Sequence, residues 1–69
     1  MTFAIFTIRL TDQSAQNIGR MVDYSKWVLH HYGQVDYLGG RAWRCNVRLT
    51  QAEIETGLRN YNVSAQIDT

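Results

Sequence analysis

The spacing of apolar residues changes along the chain, and each change marks an element. TFAIFTIRL, residues 2–10, is rich in β-branched and aromatic residues and predicts a strand. Ala4, Phe6, Ile8 and Leu10 share one of its faces; Phe3, Ile5, Thr7 and Arg9 share the other. Both faces begin apolar, which predicts a central strand.

The next stretch, TDQSAQNIGRMVDYSKWVLHHYG, reads as a helix. Thr11, Asp12 and Ser14 are competent N-caps, and Gly33 is a natural stop. At about 100° per residue, Ile18, Met21, Val22, Ser25, Val28, Leu29 and Tyr32 form an expected core stripe. Arg20, Tyr24, Trp27 and His31 recur at i, i+4, i+7 and i+11 and are expected to form an outer ridge.

QVDYL, residues 34–38, is a short strand candidate, followed by the turn signal Gly39-Gly40. In RAWRCNVRL, Trp43, Cys45, Val47 and Leu49 alternate with Arg44, Asn46 and Arg48, the period of a half-buried strand. A second helix follows. Thr50 and Glu53 have capping-box spacing, and Ile54, Leu58 and Tyr61 lie at i, i+4 and i+7. Gly57 costs about 1 kcal/mol against alanine and is expected to permit close helix–sheet contact. Asn60 or Asn62 can end this helix. NVSAQID then alternates Val63, Ala65 and Ile67 against Ser64, Gln66 and Asp68, which predicts a last strand.

The order βαββαβ predicts an α+β fold. The expected form is a ferredoxin-like two-layer sandwich, with an antiparallel sheet and two helices on one face. The alternative is a three-stranded α+β domain whose last segment pairs with another chain. One small domain over residues 1–69 is expected.

Composition narrows the function classes. A hydrophobic content of 45% suffices for a packed core, and proline is absent. A net charge of +1 makes no strong case for nucleic acid, membrane surface or an acidic partner. No apolar run approaches the ~18 residues of a membrane span. The start, MTFAIFTIRLTD, lacks the basic region of a signal peptide. Cys45 is the one cysteine, so no intrachain disulfide can form. A cytoplasmic protein without membrane contact is the expectation.

Two surfaces carry candidate chemistry. The first is an arginine-bearing sheet face of Arg9, Arg44 and Arg48, with Arg41 near the hairpin tip, a place to hold nucleic acid or an anionic ligand. The RNA-recognition form of this fold stacks bases on outward aromatics. GGRAWRCNV lacks that pattern, and only Phe3 and Tyr37 could lie on that face. The second surface is the helix ridge. Trp, Tyr and Arg are the residue types that dominate protein interfaces.

Catalytic and metal signals are weak. His30 and His31 are adjacent and point about 100° apart on a helix, so no metal site is expected. The alternation places Cys45 in the core as a small hydrophobe. The segment after the first strand, TDQSAQ, has no glycine, unlike the phosphate-cradling loop of acylphosphatases. The carboxylates are scattered.

The expected function is therefore that of a small non-enzymatic binding protein with no cofactor. It would inhibit or modulate another macromolecule through a protein–protein interface, as small proteins encoded by phages and other mobile elements do. Arg20, Tyr24, Trp27 and His31 would carry the contact. The alternatives are a nucleic-acid or anion-binding module using the arginines, and a structural homodimer subunit closed by the sheet face or the ridge.

Overall fold

A computed structural model describes residues 2–68. The elements are β1 (Ala4–Leu10), α1 (Ala15–Trp27), a 3₁₀ turn (Leu29–His31), β2 (Gly33–Gly39), β3 (Ala42–Val47), α2 (Gln51–Asn60) and β4 (Ala65–Asp68). The strands form one antiparallel sheet in the order β2-β3-β1-β4. This is the ferredoxin-like βαββαβ sandwich. β1 lies inside the sheet, as its two apolar faces require. Among the described residues, no helix is long and apolar enough to cross a membrane.

The core fills the space between sheet and helices. Phe6, Ile8 and Leu10 point inward from β1, and Trp43, Cys45 and Val47 from β3. Met21, Tyr24 and Leu29 meet them from α1 and the turn after it, and Ile54 and Leu58 from α2. The period-two alternation of β1 and β3 thus decides which half of each strand is dry.

The helix ends follow their caps. Ser14 is the N-cap of α1: its Oγ accepts from Asn17 N–H at 3.2 Å. Thr50 and Glu53 form the reciprocal capping box of α2. After Asn60 the chain turns through Asn62 at φ 56. Asn62 N–H donates to the Arg59 carbonyl, and Val63 N–H donates to that of Leu58 at 2.8 Å. This Schellman pattern is sealed by burial of Leu58 and Val63.

Three glycines do different work from that expected. Gly33 does not cap α1, which stops at Trp27; it opens β2 opposite Val47. A Cβ there would overlap the Asn46 carbonyl oxygen, so only glycine lets β2 close on β3. The hairpin turn sits one residue later than Gly39-Gly40. Its two central residues are Gly40 and Arg41, both at φ 59, the left-handed pair that such a turn needs. A register shift between Tyr37 and Gly39 accommodates the offset.

Gly57 serves a helix–helix contact rather than a helix–sheet one. A Cβ on Gly57 would lie 2.6 Å from Tyr24 Cζ, inside the ring's own volume. The Tyr24 ring rests there, 5.2 Å from that of Tyr61, and its hydroxyl donates to the Ile54 carbonyl at 3.4 Å.

These contacts correct the phase of α1. Met21, Ser25 and Leu29 are buried as the stripe predicts, and Ile18 and Val28 pack at its margin. Val22 and Tyr32, however, are 47% and 44% exposed, while Asn17 and Tyr24 are buried at 3% and 1%. Asn17 is fully bonded. Its Nδ2 donates to the carbonyls of Asp12 at 2.7 Å and Ser64 at 3.0 Å, and its Oδ1 accepts from Ser64 N–H at 2.8 Å. A polar residue so satisfied sits in the core without the cost of a stranded amide.

The same substitution at two helical glycines should have opposite effects. Gly19 has nothing within 4 Å of a Cβ, so Gly19→Ala should stabilise the protein by about 0.4–1 kcal/mol. Gly57→Ala should destabilise it by about 1–3 kcal/mol, because overpacking against Tyr24 outweighs helix propensity. Urea midpoints of the two variants against the parent measure both signs.

Candidate protein-binding surface

The outer ridge expected on α1 is not continuous. Tyr24 belongs to the core between α1 and α2, so it cannot meet a partner. Burial pushes its hydroxyl up to about 12. Trp27, by contrast, is 60% exposed at the end of α1, with the Lys26 ammonium 5.0 Å from its ring centre. Arg20 lies two turns earlier on the same flank. It is half-buried, and its Nη1 reaches the Asn62 carbonyl at 3.5 Å, beside the end of α2. His31 is exposed, but it stands on the 3₁₀ turn, off the helical spacing that was to align it with Trp27.

The arginines are divided. Arg9 and Arg44 do point from the open sheet face, opposite the helices. Arg9 is bound to Asp68 by an ion pair of 3.0 Å. Arg44 lies directly across from Asp36 of β2. Arg48 stands over the Phe3 ring at 4.8 Å. Arg41 is not on this face at all. It holds the hairpin turn, where its backbone N–H and its Nη1 both donate to the Tyr37 hydroxyl, at 3.3 and 3.4 Å. Those donors hold the Tyr37 phenol below its ordinary value, the backbone N–H most of all.

Tyr37 therefore lies on the helix side, 4.9 Å from Trp43, and is not a base-stacking platform. The sequence shows only scattered carboxylates; strand order is what brings Asp36 beside Arg44 and Asp68 beside Arg9. The exposed apolar groups on this face are Phe3 and Ile5, the latter at 61%.

On the helix side an apolar opening of about 290 Å³ lies between α1 and the hairpin, lined by Ile18, Val22, Tyr37, Arg41 and Trp43. The misplaced phase of α1 hid it, because Val22 had been assigned to the core. Cys45 is fully buried, and burial pushes its thiol up to about 11. Compared with protein families, curated proteins and solved structures, the chain matches none of them.

Alkaline pH should weaken the fold. The Tyr24 hydroxyl rises from 10.0 to about 12 and the Cys45 thiol from 9.0 to about 11 on folding. Both are raised acids, so the unfolded chain loses these protons first. Their contribution is complete below the unfolded values, near 9 and 10, and is lost as pH rises through the folded ones. Denaturant midpoints should fall across that window, and less steeply for Tyr24→Phe. An equal slope in the variant would remove Tyr24 as the cause.

Proposed function

We propose that the protein is a non-enzymatic binding protein that inhibits or modulates another macromolecule by covering part of its surface. Trp27 is the anchor of the contact, with Arg20 and His31 at its rim. The exposure of Trp27 carries this reading. A tryptophan held 60% open at a helix end leaves a large apolar ring in water, and such rings concentrate binding energy when a partner dries them. Tyr24 has no place in this contact; it supports α1 from beneath.

The arginine face supports an anion-binding reading less well. Asp68 already occupies Arg9, and Asp36 stands across from Arg44, so few positive charges remain to displace counterions from a polyanion. Elution from heparin at low salt is expected, with little change for Arg44→Ala. Tight retention lost in that variant would favour the arginine face instead.

Trp27→Ala tests the main reading. Stability should stay within about 0.5 kcal/mol of the parent, as for an exposed site. Binding should weaken by about 2 kcal/mol or more, roughly thirtyfold. The readout is a partner captured by the parent and by Arg44→Ala but not by Trp27→Ala. Capture that survives Trp27→Ala would place the contact elsewhere.

A further inference from the structure

β2 is an outer strand, seven residues long, and one of its sides has no neighbouring strand among the described residues. The hydrogen-bond phase fixes which groups line that side. Arg48 N–H donates to the Tyr32 carbonyl at 2.9 Å. Bonded and unbonded pairs alternate in an antiparallel ladder. Gln34 with Asn46, and Asp36 with Arg44, are therefore the bonded pairs that follow. The N–H and C=O groups of Gly33, Val35 and Tyr37 point to the open edge.

Such a row is a template for another strand unless lysine, proline or an inward charge blocks it. The segment Gly33–Tyr37 reads GQVDY and holds no lysine or proline. The opposite edge strand, β4, has only four residues.

We propose that β2 pairs antiparallel with β2 of a second copy, about a two-fold axis at Val35. In this register Val35 faces the second copy's Val35, Gly33 faces Tyr37, and Gln34 faces Asp36. The exposed Tyr37 ring covers a position that has no side chain. Glycine is already required there by the close approach of Asn46. The Gln34 amide lies 3.4 Å from Asp36 within its own strand; across the axis it meets a second such carboxylate without like-charge contact.

The two neighbouring registers are worse. An axis at Asp36 sets two carboxylates directly opposite each other. An axis at Gln34 sets Tyr37 against His31, which lies in the 3₁₀ turn beyond the strand. The pairing makes one continuous sheet across the axis, an isologous contact of the commonest kind. It does not depend on the Trp27 surface.

Disulfide trapping tests the register. Gln34→Cys and Asp36→Cys face each other across the axis as a non-hydrogen-bonded pair, with Cα atoms about 4.5 Å apart. Oxidising an equal mixture of the two single variants should give a cross-linked heterodimer, while each variant alone stays uncross-linked. Solution mass should double between micromolar and millimolar concentration. Val35→Pro should abolish that doubling, since the Val35 N–H serves the open edge and not β3. Self-cross-linking of Asp36→Cys would overturn the register. A parent that stays monomeric, or a dimer in which the mixture does not cross-link, would overturn the proposal even if Val35→Pro failed to fold.

Discussion

Tyr24 leaves α1 and lays its ring on the bare backbone of α2 at Gly57, and the helix layer is arranged around that contact. The ring fills the seam, packs at a tilt against Tyr61 and donates a hydrogen bond from its hydroxyl to the Ile54 carbonyl. With Tyr24 turned inward, α1 must present Met21 and Asn17 to the interior as well, since all three lie on one stripe. The opposite consequence falls on Val22, which is left at the surface beside the hairpin. One glycine on α2 therefore sets the rotation of a helix far earlier in the chain.

That dependence explains what could be read without coordinates. Strand positions were legible because alternation is a local property: Phe6, Ile8, Trp43, Cys45 and Val47 all point as their period requires. The N-caps act on their own first turns: Thr50 was legible from its capping-box spacing, and Ser14 is one of the three candidates the first helix offered. The phase of α1 was not. A stripe phased on apolar residues does not select Asn17, whose burial depends on Ser64 at the far end of the chain. It also extended through Leu29 and Tyr32 at helical spacing. The backbone there tightens to a 3₁₀ turn, where each residue advances by about 120° instead of 100°. His31 left the ridge by the same change of pitch.

The open sheet face shows the same division between local and distant information. Arg9 in β1 and Arg44 in β3 alternate with buried neighbours, and their outward direction follows from the sequence. Their electrostatic surroundings do not, because Asp36 and Asp68 come from the two outer strands and join the face only when the sheet order is known. What reads as a basic strand is a mixed surface, with Phe3 and Ile5 supplying its apolar part. Arg41 is the extreme case. Its side chain and its backbone both serve the turn, so a residue counted as ligand-binding charge is a structural clasp on Tyr37 and, through its carbonyl, on Leu10.

Asn17 has a further bearing on how the chain reaches this state. Its amide ties the start of α1 to the loop before β4, across 47 residues. Neither half of the molecule can satisfy that group alone, because the first supplies the amide and the second supplies both Ser64 partners. Local helices and the tight hairpin can form early at small entropic cost, whereas this closure must await both. Until then Asn17 is kept wet, and α1 cannot settle into its final rotation. The two ends of the chain are thereby coupled: the burial of Asn17 and the placement of the segment before the last strand each require the other.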